Sequence, residues 1–335
     1  ALAQTVPSHA NLQYGDGGAR QVLDIYLPSG EAPESGWPVV IWIHGGGWQN
    51  GDKSSAAGKA AQLMPLGFAV VGINYRLSGT DSHPAQIHDC KGAIRWLRAH
   101  AAEYSFDESR FGVWGSSAGG HLVALVGTSG DVAGIEGTVG GNTGKSSRVQ
   151  AVADYFGPAD MMAITTAGHL SCASPESAML GVCLGDVVAN QSDPAWADEV
   201  AHVNSASPRF HVSADDPPFH IAHGTADPVV EVNQSIILHE SLLDADVDAT
   251  LRLIEGAGHG LPGGEDVHVR RFFLRTLEVQ HCGGDWNANG IVNVPDLFNF
   301  LSAWFAGEPA ADIDGSGVLE VPDIFAFLSA WFAPC

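Results

Sequence analysis

The sequence is short of basic residues. Its 335 residues include 15 Lys and Arg against 38 Asp and Glu, so the formal net charge is −23. A surface this acidic repels phosphate backbones, which argues against nucleic acid as a partner. Long apolar runs are also missing. None approaches the roughly 20 residues that span a bilayer, so we expect no membrane span.

Cysteine is scarce as well, with five residues. Cys172 and Cys183 lie in a loop-like stretch, and Cys282 and Cys335 bracket an acidic tail. Both pairs suit disulfides across local segments, which form in oxidising compartments. Cys90 is left over in a helical pattern and is expected to be a free, buried thiol.

A start methionine is absent too. The first residues, Ala1-Leu2-Ala3, resemble the end of a signal peptide, although residues introduced by cloning look the same. Together with the cysteine pairs, this start predicts a secreted or cell-surface protein.

Hydrophobic residues make up 45% of the chain and charged residues 16%, so the chain can bury a full core. Strand patterns alternate with helical patterns, which predicts a mostly parallel sheet with helices on both faces. The predicted strands are 21–27, 37–43, 68–74, 110–114, 149–156, 219–222 and 249–254, and the clearest helices are 85–101, 118–126 and 266–278. Ligands in such folds bind beyond the carboxyl ends of the strands.

Two long stretches interrupt this alternation, residues 128–147 and 159–206. Insertions of this length are often lids or rims over a site. A plain surface excursion is an equally good interpretation.

The segment Gly115-Ser116-Ser117-Ala118-Gly119 fits the G-x-S-x-G pattern, directly after a predicted strand and before a predicted helix. This context is that of the nucleophile elbow of α/β-hydrolases, in which a sharp turn exposes the serine hydroxyl. The sequence therefore predicts an α/β-hydrolase fold with Ser117 as nucleophile.

The run His44-Gly45-Gly46-Gly47-Trp48 also follows a predicted strand. Glycines let backbone amides approach a ligand closely, and acyl transfer needs amides that bind the oxyanion. We assign the oxyanion hole to Gly45 or Gly46 together with Ala118. His44 is predicted to be a structural hydrogen-bonding residue.

A nucleophilic serine needs a base, and the base needs an orienting acid. In this fold the chain order is serine, acid, histidine. Asp227 follows the strand at 219–222, and His259 follows the next strand between glycines. These two residues are the predicted triad partners of Ser117.

At this point the sequence resembles the bacterial feruloyl/acetyl-xylan esterases, a group close to the hormone-sensitive-lipase-like esterases. The resemblance covers nearly all of residues 11–280 and includes the motifs at 44–48, 74–76, 115–121, 146–151, 156–160, 206–208, 217–219, 223–227 and 256–259. It implies the same triad, and it implies that Trp48 and either Tyr155 or Phe156 line the substrate pocket.

The acidic tail contains two copies of a calcium-loop pattern, with oxygen ligands at positions 1, 3, 5, 9 and 12, a backbone ligand at 7 and glycine at 6. A near-identical helix follows each copy, which marks a repeat. The predicted ligands of two Ca²⁺ ions are Asp285, Asn287, Asn289, Ile291, Asn293 and Asp296 in the first loop, and Asp312, Asp314, Ser316, Val318, Glu320 and Asp323 in the second.

This tail resembles a type I dockerin. The resemblance implies a cohesin-like partner, but Val294-Pro295 and Val321-Pro322 stand where the family carries polar contacts. A cell-surface docking role or a structural appendage therefore stays open. We predict an esterase domain at 1–281, with 1–3 as a signal-peptide remnant, and a calcium-dependent domain at 282–335 clasped by Cys282–Cys335.

These features predict a secreted serine esterase that acts on acetyl or feruloyl esters of plant cell-wall polysaccharide without a catalytic cofactor. A general short-chain carboxylesterase is the main alternative. A formamidase or peptidase with the same triad, and a non-catalytic adhesion or docking protein, are further alternatives.

Overall fold

A computed structural model describes residues 5–166, 168–279, 282–308, 311, 313 and 318–333. One sheet of eight strands forms the centre of the molecule, in the order β1-β2-β4-β3-β5-β6-β7-β8. Strands β3 to β8 run parallel to one another. Strand β2 pairs antiparallel with β4 on one side and with β1 on the other. The strands are β1 His9–Gln13, β2 Val22–Tyr26, β3 Trp37–Ile43, β4 Ala69–Ile73, β5 Phe106–Ser116, β6 Ala151–Tyr155, β7 Phe219–Gly224 and β8 Ala249–Ile254.

The helices lie between and beyond these strands. Within the described residues they are α1 Ala57–Leu63, α2 Ala85–Ala99, α3 Ala101–Tyr104, α4 Ala118–Thr128, α5 Pro175–Leu180, α6 Leu184–Ala189, α7 Ala197–Ser205, α8 Asn233–Asp244, α9 Asp266–Thr276, α10 Val294–Phe305 and α11 Val321–Trp331. No helix in the described part of the chain combines the length and apolar character needed to cross a bilayer.

Strand β3 shows how the sheet is buried on both faces. All seven of its residues are buried, because side chains alternate between faces and helices cover both. Ile41 packs into the core that includes residues of α2, α4 and α8, whereas Trp42 packs with residues of α1 and α9. This arrangement is the predicted α/β-hydrolase-like architecture.

The second insertion is partly helical, since α5, α6 and α7 lie within residues 159–206. Cys172 and Cys183 form the predicted disulfide in this insertion, and Cys90 is free and buried. Cys282 is disulfide-bonded, but its predicted partner, Cys335, lies outside the described residues.

The tail forms two helices with an approximate two-fold relation. Phe300 of α10 stacks on Phe327 of α11 with ring centroids 4.2 Å apart, and these residues occupy equivalent repeat positions. The indole of Trp304 donates to the carbonyl of Glu320 at 3.2 Å. The indole of the equivalent Trp331 donates to the carbonyl of Asn293, also at 3.2 Å. The sequence repeat is therefore a structural repeat.

The tail also contacts the rest of the chain. The guanidinium of Arg271, on α9, lies 3.5 Å from the ring centre of Trp286. The neighbouring Arg270 donates to the carbonyl of Asn287 at 2.7 Å. Ala288 packs into the core beneath α1 and α9. These contacts seat the first loop of the tail against the face of the sheet opposite α4.

Candidate active site

Ser117 occupies the turn between β5 and α4. Its backbone has φ 56° and ψ −124°, a conformation that L-residues rarely adopt. The amide of Ser117 donates to the carbonyl of Tyr155 at 2.9 Å, and its carbonyl accepts from the amide of His121 at 2.9 Å. These backbone bonds fix the turn and leave the serine side chain outside the helix.

The flanking glycines are required because the turn is tight. A Cβ on Gly115 would lie 2.9 Å from the amide nitrogen of Gly120. A Cβ on Gly119 would lie 2.8 Å from the carbonyl carbon of His44. Any side chain at either position would push α4 away from the sheet, so the G-x-S-x-G spacing follows from packing.

The three predicted triad residues come together in the structure. Nε2 of His259 lies 3.0 Å from Oγ of Ser117, and Nδ1 of His259 lies 2.7 Å from Oδ2 of Asp227. The Asp227 side chain is fully buried, whereas the His259 side chain is 21% exposed. A carboxylate can only accept, so Nδ1 carries the proton and Nε2 is free to accept from the serine hydroxyl.

The acid is held by further donors. Oδ1 of Asp227 accepts from the amides of Val229 and Val230 at 2.7 and 3.0 Å. Nε2 of His223 lies 3.3 Å from Oδ2 of Asp227 and 3.0 Å from the carbonyl of Val230. Because both neighbours are acceptors, this nitrogen carries a proton, and Ser235 donates to Nδ1 of the same ring at 2.7 Å.

Burial lowers the pKa of His223, which keeps its ring neutral. The sequence motif at 223–227 predicts no role for His223. The structure gives it one, since it fixes the carboxylate that orients His259.

The predicted oxyanion loop, residues 44–48, lies against the turn that carries Ser117. A Cβ on Gly45 would lie 2.6 Å from the carbonyl oxygen of Ser116 and 3.4 Å from Cβ of Ser117. Gly46 has φ +111°, a backbone conformation that favours glycine. Gly45, Gly46 and Ala118 all line the same cavity as Ser117. The backbone of the predicted oxyanion hole therefore lies beside Ser117.

This cavity has a volume of about 430 Å³. Its lining is formed mostly by glycine and apolar side chains, around the serine and histidine of the triad. The lining residues are Gly45, Gly46, Gly47, Trp48, Ser116, Ser117, Ala118, Phe156, Pro158, His169, Pro175, Glu176, Val229, Val230 and His259. The insertion at 159–206 thus forms part of the wall, whereas residues 138–142 of the other insertion line a separate cavity that holds no triad residue.

Two of the three predicted pocket residues line this cavity. Trp48 is fixed there because its indole donates to Nδ1 of His121 at 3.1 Å, and the other ring nitrogen of His121 lies 2.7 Å from the carbonyl of Ala206. Phe156 lies beside the base, with its ring centre 4.7 Å from that of His259.

Tyr155 does not line the cavity, so this alternative of the prediction is corrected. Its side chain lies on the face of the sheet covered by α9, because consecutive strand residues point to opposite faces. The Tyr155 hydroxyl donates to Oδ1 of Asp266 at 3.2 Å, and its ring packs edge-on against Trp114.

His44 has a structural environment. Its ring stacks on Tyr75 with centroids 4.4 Å apart, and the Tyr75 hydroxyl donates to the carbonyl of His44 at 2.9 Å. Burial lowers the pKa of His44 to about 4, so the imidazole is neutral at pH 7. These contacts anchor the start of the oxyanion loop.

The first predicted calcium loop is built around Asp285 and Asp296, both buried. Asp285 accepts from the amides of Asn289 and Gly290, and Asp296 accepts from the amides of Asn287 and Asn293. Two amide oxygens, Oδ1 of Asn287 and Oδ1 of Asn293, are buried without a hydrogen-bond partner among the described residues. The carbonyl of Ile291 accepts from the Asn293 side chain at 3.3 Å.

The second predicted calcium loop is only partly described. Asp312, Asp314 and Ser316 lie outside the described residues. Val318 is exposed, and Asp323 is buried and accepts from the amide of Glu320 at 2.8 Å.

The comparisons with known proteins agree with this fold. The profile of the BD-FAE family matches residues 23–242. A protein named probable carboxylic ester hydrolase LipM, from Mycobacterium tuberculosis, is 30% identical over 82% of this chain and 63% of its own length. The chain spans about half to two thirds of the length of LipM and of the esterases LipQ and LipC from the same organism.

Two solved structures are also similar. One is described as a truncated form of a carbohydrate esterase from gut microbiota, with 33% identity, TM-score 0.71, and coverage of 83% of this chain and 99% of that one. The other is described as a bifunctional GH43-CE from Bacteroides eggerthii, with 35% identity, TM-score 0.70, and coverage of 80% of this chain and 35% of that one. The chain has the α/β-hydrolase fold and belongs to the BD-FAE family.

Proposed function

We propose that this chain is a serine carboxylic-ester hydrolase that works through an acyl-enzyme. The observation that carries the proposal is the continuous hydrogen-bonded chain from Ser117 through His259 to Asp227. It opens onto a cavity that glycine-rich backbone also lines. Such an arrangement is suited to nucleophilic attack on a carbonyl carbon and to stabilisation of the resulting oxyanion.

The reaction has two steps. His259 takes the proton of Ser117 as Oγ attacks the ester carbonyl, while the oxyanion is bound by the amide of Ala118 and that of Gly45 or Gly46. His259 then returns the proton to the departing alcohol, which leaves an acyl group on the serine. Water, deprotonated by the same histidine, attacks this acyl group. His259 then returns that proton to Oγ of Ser117 as the bond between Oγ and the acyl carbon breaks and the acid leaves. Asp227 stays ionised throughout and stabilises the imidazolium.

The proposed substrates are acetyl or feruloyl esters of plant cell-wall polysaccharide. The description of a 33% identical structure as a carbohydrate esterase supports this class. A general short-chain carboxylesterase is the second candidate, and the names of the LipM and LipQ relatives favour it. Both candidates use the same triad and differ in the groups that the cavity accepts.

A panel of esters separates the candidates. We expect measurable kcat/KM for p-nitrophenyl acetate and a decline towards p-nitrophenyl octanoate, because the cavity of about 430 Å³ limits acyl length. Acetate release from acetylated xylan or hydrolysis of methyl ferulate would favour the polysaccharide class. Activity on p-nitrophenyl esters alone would favour the general carboxylesterase. A protein inert on the whole panel would contradict the proposal and favour an adhesion or docking role.

We also propose that the tail at 282–335 is a dockerin-like domain that binds two Ca²⁺ ions. Asp285, Asn287, Asn289, Asn293 and Asp296, with the backbone of Ile291, would hold the first ion. The two buried amide oxygens without partners support this proposal, since calcium is bound by clustered oxygen ligands. The ion would hold the loop together and has no part in ester hydrolysis.

A docking role for the tail is supported by its outer surface. Phe298 and Phe305 of α10 are exposed, as are the equivalent Phe325 and Phe332 of the second repeat. Exposed apolar side chains at repeated positions are typical of a surface that another molecule covers. We propose that the protein is secreted or attached at a cell surface through a cohesin-like or cell-surface partner of this tail.

Removing calcium should lower the thermal stability of the tail and leave ester hydrolysis nearly unchanged. At a calcium concentration 100 times Kd, one bound ion contributes about 2.7 kcal/mol to stability. EDTA should therefore lower the first calorimetric transition by about 11–22 °C, since each 1 kcal/mol shifts a small domain by roughly 4–8 °C. Hydrolysis of p-nitrophenyl acetate should stay within about threefold. An unchanged calorimetric profile would contradict the calcium proposal.

The variant Asn287→Ala tests the first calcium site directly. Oδ1 of Asn287 has no hydrogen-bond partner among the described residues, so its loss costs the calcium-free protein little. Calcium affinity, measured by titration calorimetry, should fall about tenfold or more, because one ligand is gone. Glu308→Gln, which changes a carboxylate of the tail outside both loops, is the matched control and should bind calcium like the wild type.

A further inference from the structure

One acidic side chain lies in the wall of the catalytic cavity. Glu176 is the second residue of α5 and is 4% exposed. Its Oε1 accepts from Nδ1 of His169 at 2.8 Å, and His169 lines the same cavity. Its Oε2 is buried and has no hydrogen-bond partner among the described residues. No step of the proposed ester hydrolysis uses this carboxyl group.

Several contacts hold Glu176 beside the predicted oxyanion loop. The disulfide Cys172–Cys183 closes the segment that carries it. Oγ of Ser174 accepts from the amide of Ser177 at 3.1 Å and so begins the helix. The segment also touches the oxyanion loop, because a Cβ on Gly47 would lie 3.4 Å from Cβ of Pro175.

A second unpaired group lies next to it. His169, Glu176, Val229 and Val230 line both the catalytic cavity and a narrow extension of it, which also contains Gln234. Oε1 of Gln234 accepts from the amides of Ala159 and Asp160 at 2.9 and 2.8 Å. Its Nε2 must therefore point elsewhere, and this nitrogen is buried without a partner among the described residues.

Glu231 also lines the extension, and its Oε1 accepts from Thr165 and Thr166. Among the described residues that line it, the two buried polar atoms without a partner are an acceptor, Oε2 of Glu176, and a donor, Nε2 of Gln234. The free volume of the extension is about 10 Å³, roughly what one water-sized group occupies. Burying a polar atom without a partner costs about 1–3 kcal/mol, and more for a charged group. A group that both donates and accepts would satisfy both atoms at once, and a hydroxyl is the smallest organic group that does so.

We propose that Glu176 and Gln234 form a subsite for a hydroxyl group of the substrate, with Glu176 as the specificity-determining residue. The hydroxyl donates to Oε2 of Glu176 and accepts from Nε2 of Gln234. This inference rests on the proposed ester hydrolysis and narrows its substrates to hydroxylated esters. The hydroxyl has two sources, a free hydroxyl of a sugar alcohol or the phenol of a hydroxycinnamoyl group.

Two pairs of esters test the subsite. The phenolic pair is methyl ferulate and methyl 3,4-dimethoxycinnamate. The sugar pair is a monoacetylated methyl xyloside with free hydroxyls and its O-methylated counterpart. The wild type should prefer the hydroxylated member of one pair by about 10- to 100-fold in kcat/KM, the usual worth of a hydrogen bond to a charged group. The pair that shows the preference identifies the source.

Glu176→Gln should reduce that preference at least about tenfold. The amide keeps the bond from His169 but presents a second donor opposite Gln234, so the hydroxyl loses its acceptor. The matched control is Glu240→Gln, an exposed carboxylate on α8 outside the cavity, which should keep the wild-type preference. A purely structural role for Glu176 would slow both members of a pair equally and leave their ratio unchanged.

The outcomes separate this inference from the function beneath it. A wild type inert on p-nitrophenyl acetate and on all four esters would contradict ester hydrolysis itself. A wild type that cleaves p-nitrophenyl acetate but shows a ratio near one in both pairs, or cleaves neither pair, would overturn the subsite alone. An unchanged ratio in Glu176→Gln would overturn it as well.

Discussion

Ser117→Ala should lower kcat for p-nitrophenyl acetate by about 10⁶-fold, the usual cost of removing the nucleophile of a serine triad. The loss is that large because Oγ forms the acyl-enzyme in the proposed mechanism, and no other nucleophile among the described residues is hydrogen-bonded to Nε2 of His259. The fold should survive, since the turn is fixed by backbone bonds of Ser117 to Tyr155 and His121 that alanine preserves.

Steady-state kinetics and circular dichroism on the same preparations check this prediction. Ser192→Ala, an exposed serine far along the chain from the nucleophile turn, is the matched control and should behave like the wild type. A well-folded Ser117→Ala enzyme with full activity would show that another residue attacks the ester.

Asp227→Asn should reduce kcat about 10⁴-fold, with KM little changed. Oδ2 of Asp227 accepts from His259 at 2.7 Å and fixes the tautomer whose Nε2 takes the serine proton. The introduced asparagine has one acceptor oxygen, yet it faces donors from Val229, Val230 and His223 as well as from His259. Its NH2 group would therefore point at one of these donors. The histidine would then lose its orientation and the stabilisation of its charged form.

The matched control for this change is Asp244→Asn, at the exposed end of α8. It should keep wild-type kinetics. Rates measured with p-nitrophenyl acetate suffice, because every proposed substrate depends on the same base. An Asp227→Asn enzyme with more than about a tenth of the wild-type kcat would mean that the carboxylate does not orient the base.

Much of the sheet could be predicted from sequence because five of its strands, β2, β3, β4, β6 and β7, are buried along their whole length. The predicted strands at 37–43 and 249–254 coincide with β3 and β8 in the structure. The order of serine, acid and histidine along the chain was also sufficient to select one histidine among 15. At these positions the local sequence pattern and the tertiary structure favour the same assignment.

Strand β1 could not be predicted, because its sequence carries no strand pattern. Four of its five residues are exposed, and Asn11 has φ 58°, which interrupts the ladder with β2. The strand forms because β2 offers a free edge, and not because its own side chains must be buried. Edge strands of this kind depend on tertiary pairing, which single-sequence periodicity does not detect.

The direction in which side chains point could not be predicted from the sequence either. Tyr155 and Phe156 are adjacent in sequence, yet only Phe156 lines the cavity, since the strand ends between them and Phe156 has φ 45°. Glu176 lies in the insertion at 159–206, which interrupts the alternation of strand and helix patterns, and its disulfide-closed segment forms part of the cavity wall. No spacing in the sequence links it to Gln234, which lies on α8.

The central claim, an acyl-enzyme on Ser117, is tested most directly by covalent labelling. The wild type would be treated with a p-nitrophenyl alkylphosphonate, and the digested protein would be examined by peptide mass spectrometry. We predict one phosphonyl group per chain, on Ser117, with loss of p-nitrophenyl acetate hydrolysis in step with labelling and no label on the Ser117→Ala variant. Inactivation with the label on another residue, or full activity after labelling of Ser117, would contradict the account.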